Sequence, residues 1–165
     1  ETAGTAHADA HLMGADNAKL MDCGVPINDG PQHVLVKAAY HALKAWVVDG
    51  TAPPKADRLT LSEGTTGDIV RDAYGIAKGG VRTPAVDVPV VAHSGVQGPN
   101  PSVICLLLGS SKPIPAATLA KLYPSRADYE AKYAASTDAA IKAGFVLAED
   151  RDAMLAYSKP ELIGS

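Results

Sequence analysis

The sequence predicts a mixed α/β or α+β fold, and three observations carry that expectation. Residues 31–49 place apolar side chains at helical spacing, and residues 58–104 contain short alternating or apolar stretches typical of strands. Residues 125–155 return to helical spacing. Strands followed by helices favour a layered α/β arrangement over a helix bundle.

Composition excludes two classes of partner. The 165 residues are 47% hydrophobic and 20% charged, with a net charge of -3 and scattered basic residues. No basic field is therefore available to attract nucleic acid. No apolar run approaches the roughly 18 residues that a membrane span needs. Because the chain starts at Glu1, with no signal-peptide pattern, we expect that it begins inside a longer protein.

The first long helix is predicted between Pro31 and Asp49. Pro31 suits a helix start, Gly50 offers a left-handed stop, and prolines follow at 53 and 54. We expect one broad face to be buried, with Trp46 as a packing anchor. That face comprises Val34, Ala38, Tyr40, His41, Leu43, Trp46 and Val47.

Residues 58–108 are predicted to form strands, separated by an irregular stretch over 73–84. The predicted strands are Arg58–Ser62, Asp68–Asp72, an edge strand over Val86–Ala92, and Val103–Leu108 as the clearest of the four.

The C-terminal part is predicted to be helical. Ser125 caps a helix through Ile141 that Gly144 ends, and Asp150 caps a last short helix.

His7 is the first candidate for chemistry. It lies on a small-residue loop ahead of the long helix, as the histidine of α/β-type serine hydrolases does. Such a histidine accepts the nucleophile's proton and returns it to the leaving group. A plain surface or structural histidine is the alternative, and His33, His41 and His93 have no companions in sequence that raise them above structural histidines.

A metal site is the second interpretation of this segment. His7 and His11 would share a face if the segment were helical, with Asp9 and Asp16 nearby. The glutamate of the His-Glu-x-x-His motif is absent, however, since Ala8 takes its place. We favour the reading without metal and predict no cofactor.

No nucleophile is evident in the sequence. Gly-x-Ser-x-Gly does not occur, and the nearest stretch, residues 109–113, ends in proline. Cys23 and Cys105 lack the features of a reactive thiolate, and either a disulfide or two buried thiols would suit them. If His7 is catalytic, its serine therefore lies outside these residues.

The loop Gly79–Pro89 allows two interpretations. Arg82 and Asp87 could form an ordinary surface ion pair that stiffens the loop. Alternatively, the loop lines the substrate entrance and Arg82 meets a substrate carboxylate.

Several segments resemble one family of bacterial esterases, the "alpha/beta hydrolase domain" proteins. Residues 1–9 are similar to the family's histidine segment, Gly79–Pro89 to its most recognisable string, and Cys105–Tyr129 and residues 143–150 to its C-terminal region. The end of the long helix also resembles tannase and feruloyl-esterase-like hydrolases. One departure is Ile76, where the family is expected to have a Gly-Asn-Ala-like turn.

The resemblance implies the C-terminal portion of an α/β-hydrolase fold. Residues 1–57 would supply the histidine loop and closing helix of the core, and residues 58–165 an irregular strand-and-helix extension around it. His7 would be the catalytic histidine of a carboxylic ester hydrolase, and Asp9 a supporting residue but not the triad acid.

The serine and the acid would then lie on an N-terminal segment or a companion polypeptide, and the substrate would be a small ester. The cysteine pair and the resemblance favour export. A non-catalytic binding or structural subunit is the alternative function, and a metal-dependent hydrolase that uses His7 and His11 is the less favoured one.

Overall fold

The computed structural model describes residues 1–14, 21–64, 67–100 and 102–164, with the side chain of Met13 left out. In chain order the main elements are α1 (Ala10–Met13), α2 (Gln32–Asp49), α3 (Pro84–Asp87), β1 (Val91–Ser94), α4 (Val103–Leu108), β2 (Ser110–Pro113), α5 (Ala116–Leu122), α6 (Arg126–Lys142) and α7 (Arg151–Leu155). Short 3-10 turns cover Ala148–Asp150 and Pro160–Leu162. Across these ranges, none of the helices combines the length and apolar character that a membrane crossing requires.

Helices α2 and α6 begin and end where the sequence predicts. Helix α2 follows Pro31 and ends at Gly50, whose φ of 73° is left-handed. The Ser125 side chain accepts a hydrogen bond from the N–H of Asp128 and so caps α6, and Gly144 follows with a φ of 79°. Helix α7 begins directly after Asp150, but the side chain of this residue contacts Lys37 and does not cap the helix.

The strand predicted over Val103–Leu108 is wrong, because this segment is helix α4. The Ser102 side chain caps it by accepting from the N–H of Cys105 at 3.1 Å, and Gly109 ends it. Cys105 and Leu108, three residues apart, are its buried members. A six-residue apolar run does not itself distinguish a buried strand from one buried face of a short helix.

The strand predictions upstream need a similar correction. Residues 84–87 form helix α3, with Pro84 in its first turn, and the following strand begins only at Val91. The predicted strands at 58–62 and 68–72 contribute isolated pairs, Leu61 with Ile69 and Arg71 with Ala77. Among the described residues, the one named sheet is the antiparallel pair β1–β2, in which His93 lies opposite Ser111.

The main core lies where α3, β1, α5 and α6 meet. Tyr129 and Tyr133, one turn apart on α6, are both only 1% exposed. They pack with apolar side chains from the sheet, from α5 and from the C-terminal turn: Val88, Val90, Val91, Ile114, Leu119, Tyr123 and Ile163. This core supports β1 and β2, the strands behind the His7 loop.

Helix α2 departs from the predicted burial pattern. Val34, Leu35 and Ala38 are buried, but Tyr40, Leu43, Trp46 and Val47 are between 47% and 77% exposed. Trp46 is therefore not a packing anchor within the described residues. The helix carries apolar side chains both on its buried first half and on an exposed outer face.

Candidate active site

The backbone on both sides of His7 is anchored. The N–H of Ala6 donates to Oε1 of Gln32, the first residue of α2, at 3.0 Å. The N–H of Ala8 donates to the carbonyl of Leu107 in α4 at 2.8 Å. The imidazole of His7 is exposed, and no hydrogen bond links it to another described residue. The backbone of the loop is thus held in place, while the imidazole of His7 is open to solvent.

Two glycines allow the sheet to approach the His7 loop closely. A Cβ on Gly95 would lie 2.6 Å from the carbonyl oxygen of Thr5. A Cβ on Gly109, where φ is +62°, would lie 2.2 Å from the carbonyl oxygen of Ser94 and 3.2 Å from Cβ of Ala6. Side chains at these positions would push the loop away, so both glycines help to set the position of His7.

Asn28 connects the same loop to β1. Its buried side-chain amide donates to the carbonyls of Gly4 at 2.9 Å and Ser94 at 3.1 Å. Its Oδ1 accepts from the N–H of Gly30 at 2.9 Å. Sequence reasoning missed this residue, because its partners lie 24 and 66 positions away and carry no motif.

Asp9 is buried, and its carboxylate contacts His11 and His33. Its Oδ1 accepts from the N–H of His11 at 2.8 Å and caps α1, while its Oδ2 accepts from Nδ1 of His33 at 3.2 Å. Both carboxylate oxygens are therefore engaged beside the His7 loop, and Asp9 fixes the helix that follows it.

His33 has companions that the sequence did not reveal. Its ring stacks on His11 with centroids 4.1 Å apart, and the Tyr157 hydroxyl lies 3.5 Å from its Nδ1. Burial, followed by the carboxylates of Asp9 and Asp29, raises the pKa of Tyr157 to about 12. An Asp–Nδ1 contact is the one that orients a catalytic histidine, so the Asp9–His33 pair is a rival to His7.

Serine, histidine and aspartate also meet at the β1–β2 pair. Nδ1 of His93 lies 3.0 Å from Oγ of Ser111, which donates to Oδ1 of Asp29 at 2.9 Å. Lys159 pairs with Oδ2 of Asp29 at 2.7 Å. Burial lowers the pKa of His93 to about 4, against the opposing effect of the Asp29 carboxylate.

This second cluster does not have the connectivity of a triad. In a triad the acid and the serine bind opposite nitrogens of the imidazole, whereas Ser111 and Asp29 both lie on the Nδ1 side of His93. Ser111 is also buried, which closes it to a substrate. The cluster is a structural network that the sequence analysis did not anticipate when it treated His93 as isolated.

Arg82 and Asp87 contact each other directly. Nε of Arg82 lies 2.5 Å from Oδ1 of Asp87, and its two terminal nitrogens donate to the carbonyls of Ala77 at 2.8 Å and Val86 at 3.4 Å. All the partners of the guanidinium thus lie within residues 77–87. Contact with a substrate carboxylate would require these bonds to break.

The geometry does not favour the metal interpretation. Helix α1 starts at Ala10, so His7 precedes it and does not share a helical face with His11. Within the described ranges, no three histidine, cysteine, aspartate or glutamate residues are grouped to hold a metal ion. Asp16 lies outside the described residues.

A disulfide joins Cys23 to Cys105 with an S–S distance of 1.99 Å. It links the segment before Asn28 to α4, and the Leu107 carbonyl of α4 accepts the hydrogen bond from Ala8. Neither thiol is free to act as a nucleophile. In residues 109–113, the stretch nearest to a serine elbow in sequence, Ser110 and Ser111 begin strand β2.

Fold and site together define a mixed α/β chain that holds an exposed histidine on a fixed loop before a long helix. A family model described as "Alpha/beta hydrolase domain" matches residues 1–156, and the chain belongs to this hydrolase family. The match confirms the resemblance to that family, whereas the similarity to tannase and feruloyl-esterase-like hydrolases stays a prediction. Searches of the curated proteins and of the solved structures found no match.

Proposed function

We propose that this chain is part of a carboxylic ester hydrolase and supplies His7 to a serine nucleophile on another segment or a companion polypeptide. The observation that carries the proposal is the exposed imidazole of His7 between two anchored peptide groups. A proton-transferring group must be held at a fixed position and be open to its partner. The anchored backbone around His7 and its exposed imidazole support this role.

The chemistry assigned to His7 is a proton shuttle in two half-reactions. As the serine oxygen bonds to the ester carbonyl carbon, His7 takes the hydroxyl proton. It returns that proton to the departing alcohol oxygen, which leaves an acyl-enzyme. Water then attacks the acyl carbon and gives a proton to His7. His7 passes this proton to the serine oxygen as the bond between that oxygen and the acyl carbon breaks, which releases the carboxylic acid.

The outer face of α2 supports an additional segment. Tyr40, Leu43 and Val47 lie at spacings of three and four residues on one exposed stripe of α2. A contiguous exposed apolar patch is typical of a surface that another segment covers. Gln32, at the start of the same helix, binds the His7 loop. A segment that covers this stripe would pack on the helix whose first residue binds the His7 loop, and we propose that this segment belongs to the part that carries the serine.

Labelling with a fluorophosphonate serine probe tests the proposal. The complete native protein is labelled in four forms: unchanged, His7→Ala, His33→Ala and, as the control, His41→Ala at an exposed residue of α2. We expect labelling of a serine outside this sequence, abolished by His7→Ala and retained in the other two variants.

Two results would contradict this assignment. Loss of labelling in His33→Ala with retention in His7→Ala would transfer the role to the Asp9–His33 pair. A complete protein in which no serine reacts would remove the esterase assignment and favour a binding or structural subunit.

A further inference from the structure

The disulfide between Cys23 and Cys105 reaches the His7 loop through helix α4. Cys105 is a buried residue of this helix. The carbonyl of Leu107, in the same helix, accepts the hydrogen bond from the N–H of Ala8 at 2.8 Å. One end of the disulfide is thus attached to the helix that holds the peptide group between His7 and Ala8.

The other end of the disulfide reaches the loop through residues 23–28. Asn28 is buried, and its N–H donates to the carbonyl of Leu108 in α4 at 3.1 Å. Its side-chain amide donates to the carbonyl of Gly4 at 2.9 Å. Residues 23–28 are therefore joined to α4 at both ends, by the disulfide and by this main-chain hydrogen bond. The two branches from the disulfide meet the loop on either side of His7.

A buried cluster surrounds the disulfide and contacts the loop. Cys23 is 1% exposed and Cys105 2%. The partly buried side chain of Ala8 packs against this cluster. Its other buried members among the described residues are Ala10, Ile27 and Leu108. Because protein interiors are closely packed, a shift of α4 relative to residues 23–28 would also displace the side chain next to His7.

Without the disulfide, only weaker contacts would hold the two branches together. A hydrogen bond in a protein replaces one to water, so its net contribution to stability is small. Segments held by such bonds alone open locally while the rest of the chain stays folded. The covalent bond limits this separation, since it keeps the Cα atoms of Cys23 and Cys105 5.6 Å apart. Its loss should therefore loosen the His7 loop before the rest of the chain unfolds.

We infer that the Cys23–Cys105 disulfide is a positioning element for His7, so that ester hydrolysis depends on the oxidised chain. The inference rests on the proposed function. A displacement of about 1 Å can lower the rate of a catalysed reaction by about 100-fold, because proton transfer needs its two groups at hydrogen-bond distance. Formation of the disulfide transfers two electrons and two protons from the two thiols to a partner disulfide, which becomes two thiols.

Labelling of the complete native hydrolase with the fluorophosphonate probe measures this dependence as a rate. The double variant Cys23→Ala/Cys105→Ala is compared with the unchanged protein. Trimethylamine N-oxide is added to both so that the variant stays folded, which circular dichroism verifies. We expect the rate of serine labelling to fall by about tenfold or more. Ile163→Ala is the control for lost stability, since Ile163 is buried in the main core and not in the cluster around the disulfide, and it should change the rate by less than about twofold.

Hydrogen exchange in the same samples separates a loosened loop from a destabilised chain. The amide of Ala8 should exchange about tenfold faster in the disulfide variant, because its hydrogen bond to Leu107 would open more often. The amide of Thr60, which donates to the carbonyl of Lys78 at 2.9 Å, is the matched control. Its exchange rate should be the same in both proteins, because its hydrogen bond lies outside the two branches of the disulfide.

A second disulfide variant separates the covalent bond from its packing. Cys23→Val with Cys105→Ala refills part of the space left by the sulfur atoms, and labelling should again fall about tenfold. A labelling rate within about twofold of the unchanged protein in the two disulfide variants, or an equal loss in Ile163→Ala, would overturn the inference. Failure of both disulfide variants to fold would also overturn it, since the disulfide would then act on the whole chain.

The proposed function can fail separately from this inference. An unchanged protein in which no serine reacts would remove the proposed function and the dependence of hydrolysis on the disulfide, while exchange at Ala8 would still show whether the disulfide holds the loop. A serine whose labelling requires His7 but is unaffected by loss of the disulfide would leave the proposed function and remove the inference.

Discussion

Oε1 of Gln32 accepts a hydrogen bond from the N–H of Ala6 at 3.0 Å, so the first residue of helix α2 holds the peptide group beside His7. The contact joins residues 26 positions apart. A displacement of the start of α2 would therefore also move the loop that carries His7.

Replacing Gln32 tests this anchor. Gln32→Ala should lower kcat of the complete hydrolase by about tenfold or more with a smaller effect on KM, because small displacements of a catalytic group are costly. The free energy of unfolding should fall by only about 1 kcal/mol, typical of one hydrogen bond. Gln32→Glu, which keeps the acceptor, should restore much of kcat.

Gln97→Ala is the matched control, since Oε1 of Gln97 has no hydrogen-bond partner among the described residues. Equal losses of kcat in Gln32→Ala and Gln97→Ala would show that the Gln32 contact does not position His7. A large loss of stability in Gln32→Ala would instead assign it a general structural role.

The lowered pKa of His93 predicts how the free energy of unfolding depends on pH. Its pKa is lowered from 6.5 to about 4 in the folded chain. Between pH 6.5 and about pH 4, His93 is protonated in the unfolded chain but largely neutral in the folded chain. The free energy of unfolding should therefore decrease as pH falls through this window, by up to about 3 kcal/mol from this group.

Urea denaturation from pH 7 to pH 4 measures the effect. His93→Gln should flatten this part of the profile, although the variant will be less stable at pH 7 because the contact to Ser111 changes. The exposed His41→Gln serves as the control and should leave the slope as it is. An unchanged slope in His93→Gln would show that other groups produce the pH dependence.

Local signals explain what the sequence predicted correctly. Helices α2 and α6 are delimited by Gly50, Ser125 and Gly144, residues that act within one turn of their own position. The prediction for Val103–Leu108 was wrong because an apolar run of this length is compatible with both a strand and a short helix. The Ser102 side chain, which caps the segment, favours the helix.

The clusters around His33 and His93 could not be predicted, because their partners come from distant parts of the chain. Asp9 and Tyr157 lie 24 and 124 positions from His33, and Ser111 meets His93 only through the register of β1 and β2. The role of His7 stays a prediction, which rests on a local segment and on the resemblance of that segment to the family's histidine segment. The exposed face of α2 was mispredicted because helical periodicity reports apolar character, not which side is covered within this chain.

The disulfide should contribute strongly to stability. It closes a loop with a sequence separation of 82 residues, and the chain-entropy relation gives about 4.5 kcal/mol for such a loop. Replacing both Cys23 and Cys105 with alanine should lower the free energy of unfolding by an amount of that order. Adding a reductant to the unchanged protein should have the same effect, and to the double variant none.

Urea midpoints with and without reductant provide the measurement. Identical midpoints for the reduced and oxidised protein would contradict the prediction. A loss much smaller than the relation gives would indicate that the reduced, unfolded chain retains structure near Cys23 and Cys105.

Substitutions on the outer face of α2 should reduce the activity of the complete hydrolase without impairing the folding of this chain. Tyr40 and Val47 are 69% and 77% exposed, so replacing both with lysine removes little packing within the described residues. The isolated chain should keep its circular dichroism spectrum and lose less than about 0.5 kcal/mol of stability, as is usual for surface substitutions. In the complete hydrolase, labelling of the serine should fall sharply, because the lysines would be buried against the segment that we place there.

A matched pair of lysines at Val96 and Val103 is the control for that experiment. These two residues are 57% and 78% exposed and lie outside α2, so they test whether added positive charge alone reduces labelling. Loss of labelling in the α2 variant alone would identify the covered face. Full labelling in both variants would show that α2 remains exposed in the complete protein, and the serine would then have to reach His7 from another direction.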